Sequence, residues 1–118
     1  MDRRKELKLA YKQNPPPAGV YQLKNNVTGK IFIGSSLNLP GSFNRHRFQL
    51  QAKTHPSQDL QRAWDHDGPE AFNFEVLATI DTAKLAEGDW HDAVTALEQQ
   101  WLEKLQPYAA KGYNLRKN

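Results

Sequence analysis

The side chains best suited to do chemistry here are a tyrosine, two histidines, several guanidinium groups and one helical carboxylate. Tyr21 closes the triplet Gly19-Val20-Tyr21, and eleven positions on stands Phe32, the start of Phe32-Ile33-Gly34. Ser42, His46 and Gln49 follow at i, i+4 and i+7, a spacing that lines up one polar face of a helix. Arg45 and Arg47 flank His46, and Lys53 and His55 come shortly after. Glu98 stands three residues before Trp101, and Gly112-Tyr113-Asn114 lies near the C-terminus. The chain has no cysteine. That removes thiolate nucleophiles, iron–sulfur clusters and cysteine-based zinc sites, leaving oxygen, guanidinium and imidazole chemistry.

Each of these residues also has an ordinary reading. A strand tyrosine commonly packs a sheet, a helical histidine is commonly structural, and a basic cluster is commonly a solvated face. Phe32 reads most simply as an aromatic of the core or of a site wall. His55, beside Pro56, reads as a surface loop residue. Asp65-His66-Asp67 resembles a metal cluster, but helical neighbours diverge by about 100°, so it reads as a solvated helix end.

The elements that must hold these groups follow from periodicity and turn chemistry. Residues 19–24 and 30–34 read as strands joined by Asn25-Asn26-Val27-Thr28-Gly29, a hairpin loop. If Asn25 pairs near Lys30, then Tyr21, Leu23 and Phe32 share one sheet face. Asn38 or Leu39 starts a helix with Pro40 in its first turn and a core stripe of Phe43 and Leu50. Ser57 caps a second helix carrying Leu60 and Trp64, which ends near Gly68-Pro69. Residues 72–77 alternate as a third strand. A helix from Asp89 to Leu105 places Trp90, Val94, Leu97, Trp101 and Leu105 in a core stripe. The expected fold is α/β (α+β), a small three-stranded, mainly antiparallel sheet packed by helices. Residues 1–17 read as a basic helical extension (over 2–13) and a Pro-rich lead-in, and residues 18–118 as the domain proper.

At 118 residues the chain suits one domain with one modest core. Its net charge of +3 conceals a strong asymmetry. Residues 1–58 carry ten Lys/Arg against two acidic residues, a balance of +8, while residues 59–118 carry six against eleven, a balance of −5. A basic half favours a polyanion such as nucleic acid, with affinity that falls as salt rises. Mutual neutralisation of the two halves is the alternative. Apolar runs are too short to span a bilayer, and the N-terminus does not read as a secretory signal. These features point to a soluble, cytoplasmic protein without a membrane partner.

Taken together, the two triplets at hairpin spacing, the Arg45-His46-Arg47 helix, Glu98 and Gly112-Tyr113-Asn114 resemble the GIY-YIG nuclease family. Gly-Val-Tyr stands for the first signature and Phe-Ile-Gly for the second, and the likeness runs from about Gly19 to Asn114. The resemblance implies an endonuclease that hydrolyses phosphodiester bonds in nucleic acid, DNA foremost, single- or double-stranded. It implies a divalent cofactor, Mg²⁺ or Mn²⁺, held by Glu98. It further implies that Tyr21 helps to activate the attacking water, with His46 and Asn114 as accessory positions. Arg45, Arg47, Lys53, His55 and Lys30 are the expected nucleic-acid contacts. Such chemistry needs an activated oxygen nucleophile, a cation on the phosphate oxygens and a donor for developing charge.

The sequence departs from the family pattern twice. The helix arginine expected eight residues after Gly34 is replaced by Ser42, and Phe32 stands where a tyrosine is common. Losing that guanidinium implies impaired or absent cleavage, by analogy with the ~2.7–4 kcal/mol lost with one oxyanion-hole donor. Three readings of Ser42 stand: a substitution that traps substrate, a natural loss in a domain used for binding, or replacement by Arg45. A non-catalytic nucleic-acid-binding module is the alternative function, and a small interaction protein with an acidic partner is a third.

Overall fold

The computed structural model describes residues 15–115. The helix expected over 2–13 lies outside the described residues. Six main elements follow in chain order: β1 (Gly19–Asn25), β2 (Ile31–Ser36), α1 (Leu39–Gln51), α2 (Gln58–Asp67), β3 (Phe72–Thr79) and α3 (Trp90–Leu105). The sheet has the order β2-β1-β3, and both strand pairs are antiparallel. The expected fold class and hairpin are therefore observed. No helix among the described residues is long and apolar enough to cross a membrane.

The hairpin register is set at its loop. Asn25 N–H donates to Lys30 O at 2.9 Å, while the Asn25 side chain accepts from Val27 N–H at 2.9 Å. This Asx-type bond favours the turn locally. Leu23 consequently faces Phe32, and Tyr21 faces Gly34. Period-2 alternation then puts Tyr21, Leu23 and Phe32 on one face, as expected.

That face is covered by α1 and α2. Leu39, Leu50, Leu60 and Trp64 are buried with Tyr21, Leu23, Phe72 and Tyr113, and Phe32, Phe43 and Phe74 pack against them. Each fully buried leucine contributes about 1.5–3 kcal/mol of apolar burial. Local signals start both helices as expected. Asn38 caps α1 by accepting from Gly41 N–H, and Ser57 caps α2 by accepting from Leu60 N–H. Helix α3 lies on the opposite face, where Val20, Ile33 and Val94 are buried. Its apolar stripe is a correction to the expected core: only Val94 is fully buried, with Trp90, Leu97, Trp101 and Leu105 intermediate. A helix on one side of a three-stranded sheet overhangs it, so its flanks stay partly wet.

The C-terminal segment covers the outer edge of β2. Tyr113 N–H donates to Ile31 O at 2.8 Å. The Asn114 carboxamide grips both backbone groups of Ile33, accepting from its N–H and donating to its carbonyl, each at 2.8 Å. An edge strand left bare would offer unpaired backbone groups to another chain. Beneath the hairpin, Asn25 is fully buried and its side-chain amide donates to Asp67 at 2.7 Å and to the Tyr113 hydroxyl at 3.1 Å. Asp67 thus belongs to a polar anchor between β1, α2 and the C-terminal segment, which corrects its reading as part of a solvated helix end.

Gly19 is required by sheet packing, because a Cβ there would lie 2.0 Å from the Ala78 carbonyl oxygen. Gly19→Ala is expected to destabilise the fold by at least the ~1–3 kcal/mol typical of overpacking. Gly88→Ala, where a Cβ meets nothing within 4 Å, should stay within about 0.5 kcal/mol of the parent. Urea unfolding midpoints of the two variants check this.

Candidate active site

An open cleft of ≈ 760 Å³ runs between the β2 end of the sheet, α1, the start of α2 and the C-terminal segment. Tyr21 forms part of its lining. Its ring packs edge-on against Phe43 at 5.5 Å, and its hydroxyl lies 2.6 Å from His46 Nε2. Gly34 makes this possible, because a Cβ there would sit 2.5 Å from the Tyr21 hydroxyl. His46 in turn places Nδ1 2.8 Å from His55 Nε2, with the two rings stacked at 5.1 Å. Phe32 sets its ring edge-on to His46 and His55, at 5.7 and 6.2 Å.

The hydrogen bonds assign the proton positions along this chain. Ser57 N–H can only donate, and it donates to His55 Nδ1 at 3.0 Å. A neutral His55 therefore carries its proton on Nε2 and gives it to His46 Nδ1. A neutral His46 then carries its proton on Nε2 and donates to Tyr21. The Tyr21 hydroxyl hydrogen is left free to point elsewhere. Both rings are held neutral. Burial pushes His46 down to about 4, with His55 and then Arg45 acting in the same direction. Burial also lowers His55, against a smaller opposing effect of its hydrogen bond with Ser57. Tyr21 is pushed up to about 12, first by burial and then by the Glu98 carboxylate, while Arg45 pulls it the other way.

Glu98 comes from α3, on the far face of the sheet, and its Oε1 accepts from the Ser35 hydroxyl at 3.0 Å. Ser42 reaches the cleft on the same helix face as His46, but its hydroxyl bonds to that of Ser36 at the end of β2. Asn114 lines the cleft while holding the β2 edge.

Residues 17–114 match the family model of the GIY-YIG catalytic domain. The chain belongs to the GIY-YIG family. It is similar to Intron-associated endonuclease 1 of Enterobacteria phage T4, with 29% identity over 98 residues. That match covers 83% of this chain but only 36% of the relative, so the chain spans little more than a third of the relative's length. Two solved structures carry the same fold at a TM-score of 0.69. One is the catalytic domain of the homing endonuclease I-TevI, 28% identical, covering 85% of this chain and 99% of that one. The other is a mutant of the catalytic domain of intron endonuclease I-TevI, 26% identical, covering 83% and 92%.

In this GIY-YIG domain the expected nucleic-acid contacts divide. Arg45 lines the cleft, is exposed, and makes no hydrogen bond or ion pair among the described residues. Arg47 instead lays its guanidinium 4.2 Å above the Phe74 ring. Lys53 pairs with Asp65 at 3.4 Å, and Lys30 sits 5.6 Å over the Tyr113 ring. His55 corrects the surface reading: only 8% exposed, it stacks on His46 and closes the imidazole chain. Arg62 of α2 also lines the cleft, a placement that no sequence motif signals. On its own helix it reads as an ordinary exposed cation, and nothing in its spacing shows which surface α2 faces.

The depressed His46 sets a direction for pH dependence. Its ring stays neutral in the fold but binds a proton readily once unfolded, so this contribution to stability is fully present above about pH 6.5. It is lost progressively as pH falls toward 4. Imidazole ¹⁵N spectra are expected to show a neutral His46 with its proton on Nε2 at pH 5.5, and a falling urea midpoint over that interval. A His46 ring that titrates near 6.5 would contradict this assignment.

Proposed function

We propose that this domain is a metal-dependent endonuclease that hydrolyses phosphodiester bonds in nucleic acid, with DNA as its substrate class. The observation that carries the reading is the Tyr21 hydroxyl, held by His46 at 2.6 Å beside an open cleft. Tyr21 Oη accepts a hydrogen bond from His46 Nε2–H, so its own hydrogen is available to orient a water or a phosphate oxygen. Should Tyr21 lose that hydrogen, the His46 N–H stabilises the phenolate by donating to it, and the Arg45 charge acts in the same sense. With its proton released to solvent through the open cleft, the phenolate oxygen takes one proton from the attacking water and returns to the phenol as the hydroxide adds to phosphorus. Phe32 adds no hydroxyl to this site but walls both imidazoles from solvent.

Glu98 fits a divalent cation of the Mg²⁺ or Mn²⁺ kind. Its Oε1 is engaged by Ser35, which orients the carboxylate. No group of three or more His, Cys, Asp or Glu converges as a metal cage among the described residues. One carboxylate, completed by waters and by a phosphate oxygen reached past Ser35, which lines the cleft and bonds Glu98, suits an ion that keeps much of its hydration. When bound, such a cation supplies Lewis acidity to the phosphate oxygens and offsets the carboxylate field that raises Tyr21.

Ser42 favours a second reading, a nucleic-acid-binding module without cleavage, since no guanidinium stands at the expected helix position. The two readings separate on labelled single- and double-stranded DNA with Mg²⁺. The endonuclease reading expects cutting that falls by about 10²–10³-fold in Glu98→Gln, the scale of losing one group that stabilises transition-state charge. Salt-sensitive binding should persist in that variant. Tight binding by the parent with no Mg²⁺-dependent cutting would establish the binding module instead.

A further inference from the structure

Resting on the nucleic-acid reading above, we propose that phosphate in this cleft is held by two guanidinium groups, Arg45 from α1 and Arg62 from α2. This pair takes the place of the single helix arginine expected at Ser42. Both side chains line the cleft, one from each of two helices. Arg45 lies one i, i+3 step from Ser42, roughly 60° around α1, and no side chain among the described residues occupies it. Arg62 has one ion-pair partner among the described residues, Asp59, at 3.9 Å, with both side chains well exposed. Such a pair contributes little and yields readily to a stronger anion.

The other candidates are occupied. Ser42 is tied to Ser36, Arg47 lies over Phe74, and Lys53 pairs with Asp65. Among the described residues, Arg45 and Arg62 are therefore the Lys/Arg side chains that line the cleft. A guanidinium presents a planar fork of donors that matches phosphate oxygens, and two forks from different helices fix the anion in orientation as well as charge. The Arg45 charge also acts on Tyr21 and His46, placing it within electrostatic reach of the reacting group. Asp59, which also lines the cleft, offers Arg62 only this weak pairing, which phosphate displaces.

The test measures DNA affinity across a salt series, together with Mg²⁺-dependent cleavage. Arg45→Ala and Arg62→Ala are each expected to lower the slope of log affinity against log salt by about one. Each should also cut cleavage about tenfold or more. Arg62→Lys should keep the salt slope but lose rate, because the point charge remains and the fork does not. Asp59→Asn should tighten binding by releasing Arg62. Ser42→Arg placed in the Arg62→Ala background should recover cleavage. Unchanged salt slopes in both alanine variants overturn the proposal, as does a parent that cuts only after Ser42→Arg. If neither the parent nor Ser42→Arg cuts, while both alanine variants lower the slope, the endonuclease reading fails and the two-arginine phosphate site stands. Folding of every variant is checked by its urea midpoint.

Discussion

The contact between the Tyr21 hydroxyl and His46 Nε2, at 2.6 Å across 25 residues of chain, is the interaction on which the rest of the site depends. It joins the central strand to the first helix, and each neighbour contributes a condition for it. Gly34 leaves room for the phenol, Phe43 meets its ring edge-on, and Phe32 closes over the imidazoles. The chain continues through His55 to the Ser57 backbone, whose side chain also starts α2. A helix cap thereby determines the tautomer of a ring two steps away. A hydrogen bond that an exposed histidine would lose to water is kept because burial holds both rings neutral.

The electrostatic plan follows from thinness. A sheet is a single backbone layer thick, so Glu98, on a helix against one face, still acts on Tyr21 on the other. The carboxylate and the phenol therefore need not share an element or a surface. Ser35 and Gly34 are adjacent on β2 and point to opposite faces. One orients Glu98 and the other accommodates Tyr21, so the edge strand serves both halves of the site. Its outer edge is held by Asn114 and Tyr113, which makes the C-terminal segment part of the same support.

Much of this was legible along the chain. The hairpin followed from Asn25–Gly29, and its register placed Tyr21 with Leu23 and Phe32 because alternation in a strand leaves no other choice. Asn38 and Ser57 marked helix starts because capping is a local hydrogen bond. The polar face of Ser42, His46 and Gln49 was visible as helical spacing, and all three line the cleft. What was not legible depends on where separate elements meet. His55 looked like a surface loop residue because Pro56 describes only its backbone, whereas its burial comes from stacking on a ring nine positions away. Asp67 looked solvated until the folded chain brought Asn25 against it. The α3 stripe looked like core because periodicity reports which face is apolar and not how wide a sheet it covers.

By itself, the sequence determined the strands, the helix starts, the order of the signature residues and a serine at position 42. These are local or one-dimensional properties, set by side-chain period, caps and identity. Only the tertiary structure decided the proton order along Ser57, His55, His46 and Tyr21, and which cations among the described residues open onto the cleft. Arg45 and Arg47 sit two residues apart on one helix, yet one opens onto the cleft and the other lies on Phe74. Arg62, an unremarked surface cation on α2, shares the cleft with Arg45 because of how two helices pack on one sheet. Hydrogen-bond direction and charge pairing depend on through-space distance, which the chain acquires only on folding.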